Sequence, residues 1–187
     1  MSNLSAAQLR FSHLGLQQGG IDALAQDNYG FIWIGTKNGL VRYDGNAVTS
    51  YQNIPAIPTT LQGNTVIALH YGKDERLWIG TDSAGASYYD YSKAQFKRIE
   101  TNVIGSKIYR FFDDSTGEGI FVQTELGLFL IDKKNKIKLT LSPKYSESIL
   151  GIHSNQSGVH AILENGNKLT LGSSPLTPFQ HNLFPRV

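Results

Sequence analysis

The chain of 187 residues contains no cysteine. Disulfides, zinc–thiolate sites and thiol nucleophiles are thereby excluded, although a cysteine-free chain suits either redox compartment. Charge is scarce too: 17 basic and 15 acidic residues make up 17% of the chain and leave a formal net charge of +2. Such a balance is too small to drive association with nucleic acid or with a membrane surface. Long hydrophobic runs are missing, and a stretch such as Leu126–Ile131 is broken by Gly127, so no segment reads as a bilayer span. The opening MSNLSAAQLR has no basic stretch followed by an apolar one, so no secretory signal is expected in it. Against these absences stand aromatics at 11% and 19 glycines, the latter above the usual share of roughly 7%. The composition excludes a disordered chain and a coiled coil.

The richest signal is self-similarity. Residues 21–36 read IDALAQDNYGFIWIGT and residues 66–81 read VIALHYGKDERLWIGT. At a constant offset of 45, Ala23 matches Ala68, Leu24 matches Leu69, Trp33 matches Trp78, Gly35 matches Gly80 and Thr36 matches Thr81. After a one-residue slip, Gly39 matches Gly85, and Tyr43-Asp44 match Tyr89-Asp90. Two fainter copies follow at 120–132 and 159–171, with Phe121 and then His160 in the tryptophan's place and a glycine, Gly127 or Gly166, six residues on.

Each unit reads as short strands separated by turn chemistry. In the first these are Ile21–Gln26, Phe31–Gly35, Leu40–Asp44 and Val48–Tyr51. The Asp27–Gly30 segment supplies an Asx turn, and Asn38-Gly39 a hairpin turn. The second unit gives Val66–Tyr71, Leu77–Gly80, Ser87–Tyr91 and Phe96–Ile99. The third gives Ile108–Asp113, Ile120–Gln123, Leu128–Asp132 and Ile137–Leu141. The fourth gives Ile149–His153, Val159–Leu163 and Lys168–Leu171, then a loop-like Pro175–Pro185 tail. No long 3.6-residue apolar period is present, so helix is at most a minor component. A repeat of 40–45 residues holding four strands is the pattern of a β-propeller blade. A β-sandwich also has short strands but does not explain the register. The fold expected is all-β: a β-propeller of about four four-stranded blades, units approximately 21–64, 65–106, 107–147 and 148–187, in one domain over 1–187. Residues 10–14 are expected to add a closing or outer strand. Trp33, Trp78 and Phe121 are expected to fill the wedges between sheets, and Gly35 and Gly80 to mark close backbone approach.

The run Asp27-x-x-Gly30-Phe31-Ile32-Trp33-Ile34-Gly35-Thr36, followed by Asn38-Gly39-Leu40-x-Arg42-Tyr43-Asp44-Gly45, resembles the two-component regulator propeller repeat. The opening Phe11-Ser12-His13-Leu14 resembles the way such propellers begin, and Arg76–Thr81 with Tyr89-Asp90 carries the same pattern in the second unit. The likeness is close over 11–100 and thin from 101 onward. It implies a non-catalytic, extracytoplasmic ligand-binding sensor in the periplasm, part of an inner-membrane-anchored signal transduction protein. Implied downstream are an immunoglobulin-like domain, a transmembrane helix and an output, either a histidine kinase hybrid or a diguanylate cyclase. Relatives of this kind in gut bacteria sense carbohydrate fragments, so the partner expected is a small-molecule or oligosaccharide ligand of unknown identity. The downstream domains of the same protein and a homodimeric second copy are further expected partners. The family's rings normally have more than four blades, so the chain is expected to form a partial ring cut from a larger propeller. Two other readings stay open: a propeller enzyme acting on glycans, as lyase or glycosidase, and a purely structural dimerisation scaffold.

No catalytic residue, metal ligand or cofactor site is predicted, and the ligand contacts are unknown from sequence. Trp33 and Trp78 read as core rather than as sugar-stacking platforms. Asp27 reads as a turn-former, since its spacing departs from the Asp-box of sialidase propellers. His13, His70, His153, His160 and His181 lack zinc-protease spacing. His153 and His160 fall in separate strands across a hairpin, and a lone histidine pair without a carboxylate is a weak metal site. Ser173-Ser174 lack a nucleophile elbow, and Gly19-Gly20 lack a phosphate-loop lysine. Asp74-Glu75 and Asp113-Asp114 read as solvated turns, and Lys133-Lys134-Asn135-Lys136 as an exposed hairpin turn. The Gln52–Asn64 connection is expected to be a spacer, with a ligand-contacting loop as the alternative.

Overall fold

The computed structural model describes residues 20–114, 119–141, 149–155 and 158–171. The first sheet is a meander of β1 (Ile21–Gln26), β2 (Ile32–Thr36), β3 (Gly39–Tyr43) and β4 (Val48–Tyr51). The second contains β5 (Val66–Tyr71), β6 (Leu77–Thr81), β7 (Ala86–Asp90) and β8 (Gln95–Arg98). A single helical turn, α1 (Thr101–Ile104), leads to β9 (Ile108–Asp113), β10 (Gly119–Thr124), β11 (Gly127–Asp132) and β12 (Ile137–Leu141). The fourth sheet has three strands among the described residues, β13 (Ile149–Asn155), β14 (Gly158–Leu163) and β15 (Lys168–Leu171), where the general pattern predicts four. All pairs are antiparallel and in chain order. The four sheets form an unclosed propeller arc. The expected strand at 10–14 and the 175–185 tail lie outside the described residues.

Repeated side chains make the repeated turns. Thr36, Thr81 and Thr124 each donate a hydroxyl hydrogen bond to a carbonyl across the hairpin, on Gly39, Gly85 and Gly127 respectively. Each hydroxyl also accepts a backbone N–H two or three residues on. Gly39 and Gly127 adopt φ of 118° and 137° at the same point of the hairpin, a region closed to most L-residues. At the end of each third strand Asp44, Asp90 and Asp132 accept backbone N–H groups of the following turn. These bonds hold the Asp44 carboxyl below its ordinary value.

The strand alternation sorts each sheet into two faces. On the first sheet Ala25, Phe31, Trp33, Leu40 and Tyr51 face Leu77, Ile79, Tyr89 and Phe96 of the second. Trp78 and Ala86 on the opposite face of that sheet meet Ile108, Phe111, Ile120, Val122 and Phe129. Phe121 and Leu128 then meet Ile149, Ala161, Leu163 and Leu171. The core is thus a series of three seams, each centred on the aromatic at the same repeat position. The turn α1, not expected as an element, drives Ile104 fully into the second seam.

The two glycines act as close-approach points. A Cβ on Gly35 would stand 2.8 Å from Val66 Cγ1, and one on Gly80 would stand 2.6 Å from Ile108 Cγ2. Val66 and Ile108 open the innermost strand of the following blade, so the missing side chain lets consecutive sheets close.

The Gln52–Asn64 connection runs beside the outer strand β8. Phe96 N donates to Thr59 O at 2.9 Å, and the Arg98 guanidinium donates to the Ile57 and Leu61 carbonyls at 3.2 and 3.0 Å. Leu61 is fully buried in the first seam. The connection therefore covers a strand edge and braces two blades.

Candidate functional site

The first seam is organised around Asp27, which is only 5% exposed. Its Oδ1 accepts the Tyr29 and Phe31 N–H groups at 3.0 Å each, which is the expected Asx turn. Its Oδ2 accepts the Trp33 indole N–H at 2.7 Å and the Tyr91 hydroxyl of the second sheet at 2.7 Å. One carboxylate thus folds a turn, orients the core tryptophan and ties two blades together. Burial, followed by the hydrogen bond to Asp27, pushes the Tyr91 phenol well above its ordinary pKa and keeps it a donor. Burial likewise pushes Tyr51, which stacks on Trp33 with centroids 5.7 Å apart, up to about 12. Both tryptophans are fully buried, so neither is a stacking platform for a ligand.

In the second sheet Gly72 stands where Asp27 stood, and Asp74 performs the carboxylate's task from two residues later. It accepts the Trp78 indole N–H at 3.1–3.2 Å with its side chain only 4% exposed. Asp74 is therefore not the solvated turn residue expected. Asp113 is corrected in the same way: its carboxylate accepts Lys73 N at 2.8 Å and lies 3.2 Å from His70 Nε2, clasping the second and third sheets. Asp114 is buried as well. Sequence shows that these acids sit in turns. It does not show that the turns fold back against a neighbouring blade. Glu75 is exposed as expected.

His153 and His160 are direct cross-strand partners, and His160 Nδ1 lies 3.1 Å from Thr170 Oγ1. Burial, then Lys168 and His153, hold the His160 imidazole below its ordinary pKa and favour its neutral form. Among the described residues no group of three or more His, Asp or Glu is arranged to hold a metal, and no helix is long and apolar enough to cross a membrane. His13, His181, Gly19 and Ser173-Ser174 lie outside the described residues. The Lys133–Lys136 turn is exposed, and it reaches the second sheet through Arg76, which donates to Asn135 Oδ1 and Lys133 O.

Two clefts escape sequence reasoning. One, of about 470 Å³, lies on the turn side of the first seam and is lined by Tyr29, Asp74, Glu75, Arg76, Tyr88, Asp90 and Tyr91, among others. The other, of about 490 Å³, opens between the third and fourth sheets beside Tyr109, Arg110, Gln123, Ile149 and Glu164. Each contains a residue that breaks the repeat. Glu75 replaces the glycine found at position 30, and Gln123 replaces the glycine of positions 35 and 80. Those departures are the signal by which the clefts could have been found.

Residues 15–38 and 60–83 match the family model described as two component regulator propeller. Among solved structures, the chain resembles the extracellular domain of the hybrid two component system BT3049 from B. thetaiotaomicron, with 21% identity and a TM-score of 0.72. That match covers 92% of this chain and 26% of the other. The extracellular domain of the one component system BT4673 from the same organism gives 24% identity and a TM-score of 0.58, over 80% of this chain and 23% of that one. Virginiamycin B lyase from Staphylococcus aureus gives 17% identity and a TM-score of 0.58, over 85% and 58%. The chain spans about a quarter of the length of the two B. thetaiotaomicron domains. At these identities the likenesses establish the propeller fold. Comparison with curated proteins gave no match.

Proposed function

We propose that these blades are part of an extracytoplasmic sensor propeller, periplasmic and carried by a membrane-anchored two-component protein, and that they bind a ligand without transforming it. The observation that supports this best is the family match over 15–38 and 60–83, the segments bearing the Asp27–Trp33 and Asp74–Trp78 clasps. A ligand bound across a seam, with different affinity for two arrangements of neighbouring blades, would shift the balance between them. The downstream domains of the same protein, with a histidine kinase or diguanylate cyclase output, would read that shift. A second copy would cover the open ends of the arc. Catalysis, the second reading, draws on the likeness to virginiamycin B lyase, which at 17% identity argues for the fold and not for the chemistry. Reversible solute binding with intact recovery of the solute tests the proposal.

A further inference from the structure

We propose that the cleft over the first seam binds a small organic cation, whose ammonium or guanidinium group packs on the Tyr29 ring and is neutralised by the carboxylates of Glu75 and Asp90. This extends the sensing reading by giving it a site and a ligand class.

Tyr29 is the first reason. A large ring at the apex of the β1–β2 turn is 65% exposed, which is unusual for so much apolar surface. It is nevertheless held in place: its centroid lies 5.0 Å from that of Tyr91, whose hydroxyl is fixed by buried Asp27. A rigid aromatic face open to solvent attracts cations through its ring quadrupole.

Glu75 is the second. The β1–β2 and β5–β6 turns are built alike, with Gly30 N donating to Asp27 O and Glu75 N donating to Gly72 O. Both residues occupy the left-handed region, Gly30 at φ 85° and Glu75 at φ 61°. Glycine serves that backbone without strain, and glutamate does not. The glutamate side chain is exposed and makes no hydrogen bond or ion pair among the described residues. Its presence there gains nothing for the turn, but it places a carboxylate on the rim of the cleft.

Charge is the third. The cleft is lined by three carboxylates, Asp74, Glu75 and Asp90, against one guanidinium, Arg76. Arg76 is already engaged: it lies 4.4 Å from the Tyr88 centroid and donates to Asn135 Oδ1 and Lys133 O at 3.0 and 3.1 Å. Asp74 is committed to Trp78. The Ser92 hydroxyl holds the Asp90 carboxyl below its ordinary range, and nearby Lys93 acts in the same direction. Asp90 Oδ1 accepts the Ser92 N–H and hydroxyl, so Tyr29, Glu75 and the second oxygen of Asp90 are left to meet a ligand, and aromatic faces beside carboxylates select positive charge. The volume of about 470 Å³ suits a small molecule.

Calorimetric titration of the 187-residue chain tests this, with choline and argininamide as probes and 3,3-dimethylbutan-1-ol as the neutral isostere of choline. Both cations should bind, and the neutral isostere should bind at least about tenfold more weakly. Glu75→Gln and Tyr29→Ala should each weaken choline about fivefold or more. Glu75→Gly should melt higher than wild type while losing affinity as Glu75→Gln does, which separates the carboxylate's role in binding from its effect on folding. The proposal is overturned if neither cation gives heat up to about 20 mM, if the neutral isostere binds equally well, or if Glu75→Gln binds choline like wild type. Such a failure would leave the sensing reading standing, since that reading does not depend on a cationic ligand.

Discussion

Asp27 is a single side chain that serves both its own turn and the seam between two blades. Four groups donate to its two oxygens, and one of them, the Tyr91 hydroxyl, comes from a residue 64 positions away. Asp27→Ala would leave the buried Trp33 N–H and Tyr91 hydroxyl without their acceptor. It should cost about 3 kcal/mol, read as a lower urea midpoint at unchanged slope. Tyr91→Phe removes one donor and leaves the acceptor satisfied by the others, so it should cost about 1 kcal/mol. Equal losses from the two variants would contradict the clasp. The local half of this role was legible, because aspartate two and four residues before a strand's N–H groups is recognisable turn chemistry. The half reaching Tyr91 was not, because nothing in the spacing of Asp27 and Tyr91 reports that two sheets meet there. Asp74 makes the same point: its turn was legible, and its burial under Trp78 was not.

The strands themselves follow from sequence closely. β1, β4, β5, β9, β12 and β15 begin and end where the alternation and turn residues place them, and most other ends differ by one residue. Short strands bounded by Asn-Gly, Asp-Gly and the threonine turns leave little freedom of register. The contact of one blade with the next is set by small residues rather than by strand propensity. A Cβ on Gly80 would fall 2.7 Å from Ile108 Cβ as well as against its Cγ2. Gly80→Ala should therefore cost about 2 kcal/mol by overpacking. Combining it with Ile108→Ala should cost less than the sum of the two single changes. Additive losses, read from denaturation midpoints, would show that the two residues do not oppose each other across the seam. At the third blade the glycine is Gln123, and a cleft opens beside it.

Across the whole molecule, among the described residues, three seams are filled and the two outer faces of the arc are filled only in part: Ile34, Val41 and His160 are buried on them, but several apolar side chains are not. Leu24 and Val48, on the face of the first sheet turned away from the second, are 61% and 40% exposed, and Ile162 on the outer face of the fourth sheet is 41% exposed. Exposed apolar sheet faces favour association. Light scattering on the isolated chain should accordingly show a dimer, and a strict monomer at all concentrations would contradict pairing of the open ends. Four units were legible from dividing the chain by its repeat, and the partial ring from the resemblance to a family whose rings have more blades. Which solute occupies a cleft was not, because ligand contacts sit at departures from the repeat and carry no periodicity of their own.

A sensor of the proposed kind binds its solute and does not transform it. The most direct test melts the chain with a panel of amines, sugars and organic acids and analyses the same samples by mass spectrometry. At least one solute should raise the melting temperature, by the equivalent of about 2.7 kcal/mol at a hundredfold excess over Kd, and be recovered intact. A solute consumed to product by the chain would contradict binding without transformation.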